Sequence, residues 1–270
     1  MNLTKILAYV LFVVSLALAY YLYNSINSTI KFRENISSTE SQIIEKLNVI
    51  REAQKVYLEQ HGRYTSSWDT LINFIETGVV PITVKSETII PLSYGVDSII
   101  VNIDTIAEVS AKEKIFRKTY SVNAADNGVF LGFAKNVGDY VAKGTKSYKM
   151  QKDNFDRVDE YAFLDKGTIS SQADVKVGDR VTKGQNLITF WDYQLNPNVD
   201  IKSLSIVPGS GKTFDLYTAA IDRNGIKVWV IEVKDPAPIN PARREENEAK
   251  NRRPLRFGSK TDVTTAGNWE

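Results

Sequence analysis

Val137-Gly138-Asp139-Tyr140-Val141-Ala142-Lys143-Gly144 is written again forty residues later as Val177-Gly178-Asp179-Arg180-Val181-Thr182-Lys183-Gly184. Gly-Asp suits a tight turn, because glycine reaches backbone angles that bulkier residues resist. The valines of each copy can enter a core, and Lys-Gly supplies the next turn. Strand-like residues follow the second copy at Leu187, Ile188, Phe190 and Trp191. The doubled pattern therefore predicts a small β-sandwich, placed at residues 120–198 and inserted into a larger head.

The flanks, residues 63–119 and 199–270, read as that head, mixed α/β. Ser66 or Ser67 can cap a short helix, with Asp69 in a capping-box position. Its buried face would be Trp68, Leu71, Ile72 and Ile75, and Gly78 would end it. Strands are expected over 96–104 and 116–122. A hairpin is expected from 213–221 and 226–233, because Asn224-Gly225 tolerates the positive φ of a tight turn. Beyond Asp235 the chain is proline-rich and densely charged, with Arg243, Arg244, Glu245, Glu246, Glu248, Lys250, Arg252 and Arg253, which suits a solvated segment.

Upstream of the head, Ile36, Ile43, Leu47, Ile50 and Tyr57 mark an apolar helical stripe that ends near His61-Gly62. The stripe can pack on the chain's own sheet or form a seam for a second chain, although Glu40 and Gln54 interrupt a simple coiled coil. Residues 25–62 are thus expected to be an amphipathic stalk and residues 1–24 a transmembrane anchor. The eighteen residues from Ile6 to Tyr23 carry no charge and span about 27 Å as a helix. Tyr9 lies near one end and Tyr20, Tyr21 and Tyr23 at the other, where interfacial rings are favoured. Lys5 and Ala17-Leu18-Ala19 also fit a cleaved signal peptide, but the apolar run continues past Ala19. Lys5 and the α-amine against Lys31 and Arg33 leave the positive-inside count nearly tied; the large C-terminal domain is expected outside, in the periplasm.

Composition narrows the function classes. Thirty-four basic against 32 acidic residues give a net charge of +2, no electrostatic reason to expect nucleic acid. There is no cysteine and one histidine, His61, which removes thiol chemistry and any site needing two histidines. Gly209-Ser210-Gly211-Lys212-Thr213 ends like a phosphate-binding loop, yet Ile206 stands where its first glycine belongs and a strand, not a helix, is expected to follow. Asp153, Asp156, Asp159 and Glu160 read as surface carboxylates. No catalytic, cofactor or metal residue and no small-molecule substrate is expected.

Three resemblances add to this reading. The paired turns resemble those of biotinyl/lipoyl-type barrel-sandwich modules. Such carriers present a modified lysine, and Asp165-Lys166-Gly167 and Tyr148-Lys149-Met150 are the nearest matches. Only twelve residues separate Lys166 from Gly178, so a structural module is expected instead. Two further blocks resemble a family of single-pass, membrane-anchored envelope proteins of Bacteroidota with no assigned activity. The first runs from the anchor through Tyr23-Asn24-Ser25-Ile26, Ile50-Arg51-Glu52-Ala53-Gln54, Gly62-Arg63-Tyr64 and Leu71-Ile72-Asn73-Phe74 to Ile103-Asp104-Thr105-Ile106. The second runs from Leu204 to Thr265-Ala266-Gly267-Asn268-Trp269. Residues 53–78 also look like the helix-to-head region of type IV pilins and pseudopilins, without their processing site. The resemblances imply a non-enzymatic structural or scaffold subunit of a cell-envelope assembly in the bacterial inner membrane. Its partners would be the bilayer, through residues 6–23, and envelope proteins or a second copy, through the stalk. The alternative is a pilin-like filament or secretion-machine subunit, and an envelope hydrolase stands third.

Overall fold

The computed structural model describes residues 3–91, 97–153, 157–245 and 253–270, with side chains over 11–82, 107–153, 157–244 and 253–270. Helix α1 (Leu3–His61) is one unbroken element of 59 residues. It contains no proline or glycine, and at 1.5 Å per residue it is about 88 Å long. The expected anchor and stalk are therefore a single helix. Gly62 ends it at φ +69°, its N–H donating to Leu58 O at 2.8 Å, the left-handed cap that glycine adopts at least cost.

Helix α2 (Trp68–Thr77) buries Leu71, Phe74 and Ile75. Trp68 and Ile72, expected on that face, are half-buried, and Phe74 takes their place. Strands β1 (Val79–Pro91) and β2 (Asp97–Ser110) form a long antiparallel hairpin; Val96, expected to open the second strand, lies outside the described residues. Helix α3 (Ala111–Phe116) follows, capped by Ser110 Oγ, which accepts from Glu113 N at 3.2 Å. Eight strands come next: β3 (Arg117–Asn123), β4 (Gly128–Phe133), β5 (Tyr140–Val141), β6 (Lys146–Lys152), β7 (Val158–Ala162), β8 (Gly167–Gln172), β9 (Arg180–Val181) and β10 (Asn186–Tyr193). The chain closes with β11 (Asp215–Arg223), β12 (Ile226–Lys234) and β13 (Arg256–Gly258). The class is α+β, a long N-terminal helix with several small antiparallel sheets.

Contacts group the chain into two compact units. One holds the helix up to Arg51, Arg63–Trp68 and Lys202–Glu270; the other holds Glu52–Gly62 and Asp69–Ile201. Residues 69–119, assigned with the C-terminal sheet from sequence, thus group with the β module.

In the first unit, β11, β12 and β13 pair antiparallel in that order. Ile231, Val233 and Phe257 are fully buried, as are Leu47 and Ile50 of α1. The helix is fastened by polar contacts as well. Lys46 Nζ donates to Ser203 O at 2.5 Å, Ser203 Oγ at 3.2 Å and Ile206 O at 3.0 Å. Glu40 accepts from Asn240 at 2.8 Å and from Arg243 at 2.7 Å.

In the second unit, β3 to β10 form a sandwich of two four-stranded sheets, ordered β3-β10-β8-β5 and β7-β6-β4-β9. The two halves are related by a pseudo-dyad and exchange their turns. Gly138 N donates to Ile169 O and Gly178 N to Phe130 O, both at 2.8 Å. Likewise β5 of the first half pairs with β8 of the second, while β9 pairs with β4. Each turn is closed by its own aspartate: Asp139 accepts from Asn136 N at 3.0 Å and Asp179 from Lys176 N at 2.8 Å. Val141 and Val181 enter the shared core with Phe130, Phe163, Ile169, Leu187 and Phe190, each large side chain contributing about 1.5–3 kcal/mol. The expectation that all the repeat valines share this core needs correction. Val137 and Val177 are exposed, because each precedes the turn glycine on the outer side of the bend.

Candidate functional site

The five residues singled out as an interaction seam are placed as follows. Ile43, Leu47, Ile50 and Tyr57 are buried, while Ile36 is half-buried. A side chain already sealed in the chain's own core has no area left to offer a partner, so the seam reading is corrected for these four. Tyr57 stacks on His61 with centroids 4.1 Å apart and meets Phe74 edge-on at 5.1 Å, an aromatic end to the helix. Glu40, which interrupts the apolar spacing, is taken up by Asn240 and Arg243.

The exposed apolar surface lies earlier on α1. Leu11, Phe12, Val13, Val14, Leu16, Leu18, Tyr20, Tyr21, Leu22 and Tyr23 are all exposed, between 47% and 73%. Consecutive positions cover every side of a helix, so this stretch is apolar all round, and among the described residues nothing covers it. Among the described residues no helix is long and apolar enough to cross a membrane. Ile6 to Val10, which open the expected span, lie outside the described side chains.

Several sequence candidates resolve into surface chemistry. Asp153 pairs with Arg180 at 2.6 Å and Asp159 with Lys152 at 3.3 Å, while Asp156 lies outside the described residues. Glu160 pairs with Lys146 and, at 2.9 Å, with Lys149; these hydrogen-bonded ammonium groups pull its carboxyl down to about 2. Of the carrier-like lysines, Lys149 is thus ion-paired within β6, and Lys166 lies 3.5 Å from Asp192. The segment 206–213 is a tight hairpin, with Val207 N donating to Lys212 O at 2.7 Å, and it leads into β11.

Two clefts were not foreseen. One, of about 300 Å³ in the sandwich, is lined by Tyr120, Tyr148, Tyr161, Leu164 and Phe190 together with Asn123 and Asp165. Tyr148 is buried there, its hydroxyl donating to Asn123 O at 3.3 Å and accepting from Ala125 N at 3.0 Å; burial pushes its phenol pKa up. The other, about 600 Å³, lies on the C-terminal sheet and is lined by charged side chains including Glu232, Lys234, Arg253, Arg256 and Lys260. A sequence signal for it existed: Glu232 is the lone acid within Val228-Trp229-Val230-Ile231-Glu232-Val233, and an acid there needs a partner.

Asp235, just past β12, is 2% exposed and accepts from Ala237 N at 2.9 Å. Burial pushes its carboxyl pKa above the ordinary value. Such a group binds more protons folded than unfolded between the ordinary carboxyl pKa and its raised one, so stability falls as pH rises through that window. Asp235→Asn keeps the acceptor and removes the charge; urea midpoints should then lose that fall while matching wild type at the acid end. An unchanged pH profile would show that Asp235 does not produce it.

No protein-family model matches the chain, and no curated protein matches it.

Proposed function

We propose that the chain is a non-enzymatic, membrane-anchored structural or scaffold subunit of a bacterial cell-envelope assembly. It is held in the inner membrane by one pass through residues 6–23, with its C-terminal domain in the periplasm. The observation that carries this reading is the change of surroundings along one continuous helix. From Leu11 to Tyr23 its apolar side chains face outward on every side, whereas Ile43, Leu47 and Ile50 are buried. Ten exposed large apolar residues within the thirteen positions 11–23 are costly in water and are matched by hydrocarbon. Tyr20, Tyr21 and Tyr23 then fall where the hydrocarbon gives way to headgroups.

The test is fractionation with mass spectrometry of the intact chain. Carbonate-resistant membrane association with the Asn2–Lys5 peptide retained is expected. A mature chain beginning at Tyr20 would sink the anchor. Leu11→Arg should release the chain, a charge deep in the span costing about 3 kcal/mol.

A second reading, a pilin-like filament subunit, draws on the unbroken length of α1, whose exposed half could pack among copies of itself. Detergent-purified chain forming extended polymers would favour it; co-purification of a fixed set of other envelope proteins favours the scaffold.

A further inference from the structure

We infer that the charged cleft on the C-terminal sheet is a binding site for a small oxyanion of phosphate or carboxylate type. Strand alternation builds its floor. Ile231 and Val233 point into the core, so Glu232 and Lys234 share the opposite face of β12. On that face Lys234 stands between Asp215 and Arg256, and Glu232 between Tyr217 and Gly258. Position 258 must stay without a side chain, since a Cβ there would lie 2.0 Å from Ile231 O. The segment from Ser259 to Asp262 then forms one wall.

Charge decides the class of ligand. Arg256 and Lys260 stand in the lining with two acids, Glu232 and Asp262. Asp262 is engaged by Arg223, which lies outside the lining. Glu232, 7% exposed, holds Arg256 at 3.2 Å on one oxygen and Lys260 at 3.8 Å on the other. One buried carboxylate thus keeps two cations side by side. A guanidinium has five donors and an ammonium three, so both retain N–H groups for a further acceptor. Ser259 and Thr261 bring hydroxyls 3.3 Å apart to the same wall. A volume of about 600 Å³ suits a small molecule rather than a chain segment. Oxyanions satisfy this combination, because charge-assisted hydrogen bonds from such donors are the strong ones.

The experiment is calorimetric titration of the full-length chain with phosphate, pyrophosphate and citrate at matched ionic strength. Saturable binding of at least one is expected, and comparing the phosphates with citrate identifies the anion type. Lys260→Gln, at a side chain 56% exposed, should weaken binding about tenfold. Lys227→Gln, on the same sheet but outside the cleft, should change nothing. Thermal melts of each variant verify folding. Failure of all three anions to bind overturns the inference. So does binding indifferent to Lys260→Gln in a folded chain.

Discussion

Replacing Ile43 and Ile50 together with aspartate should unfold the unit built around the C-terminal half of α1. Ile43 is 2% exposed and Ile50 fully buried. Removing each side chain forfeits about 2 kcal/mol of burial, and each new carboxylate must be desolvated without a partner, costing several kcal/mol more. The sum rivals the whole stability of an ordinary domain, about 5–15 kcal/mol. The helix itself is not the weak point, because Ser38→Asp with Ser41→Asp, on exposed positions of the same helix, should leave the urea midpoint within about 0.5 kcal/mol of wild type. Similar midpoints for the two double variants would mean that these isoleucines do not hold the core.

Gly128→Val and Gly167→Val should each disrupt the sandwich, and more severely than the same change at Gly178. The first two occupy equivalent positions under the pseudo-dyad, at the starts of β4 and β8. A Cβ on Gly128 would stand 2.1 Å from Gln151 O, and one on Gly167 would stand 2.5 Å from Trp191 O. Neither obstacle is a flexible side-chain end; each is the carbonyl of a paired strand, so relief means parting the sheet. The cost should be about 3 kcal/mol or more per site. Gly178 has φ +100° and nothing within 4 Å of its missing Cβ, so only local strain of about 1–2 kcal/mol opposes a side chain there. Near-ultraviolet circular dichroism through a urea series measures the order; Gly178→Val as the most damaging of the three would contradict it.

The contrast among these glycines separates what neighbours in sequence dictate from what they do not. The repeat announced that Gly138 and Gly178 turn the chain, and both do. It did not announce that each turn docks on the other half, nor that Gly128 and Gly167, outside the repeated octet, are the positions without room. The seam went the same way. Apolar spacing found Ile43, Leu47 and Ile50, but a stripe looks the same whether its cover comes from its own chain or another. Lys46 reaching Ser203 and Glu40 reaching Arg243 decide the matter.

By itself, the sequence determined the features that depend on residues close together: the helix that Gly62 stops, the Asp222-Arg223-Asn224-Gly225 hairpin with Asn224 at φ 56°, and the β character of the doubled module. Turns, caps and periodicity are set by backbone sterics and side-chain spacing within a few residues, so they can be read from a line of text. Tertiary structure alone decided which valine of each repeat is buried, which carboxylate is ion-paired or sealed from water, and how Glu232 gathers Arg256 and Lys260 into one cleft. Those outcomes rest on electrostatics and packing between residues brought together from distant parts of the chain, and an unfolded sequence carries no record of which cation will stand beside which acid.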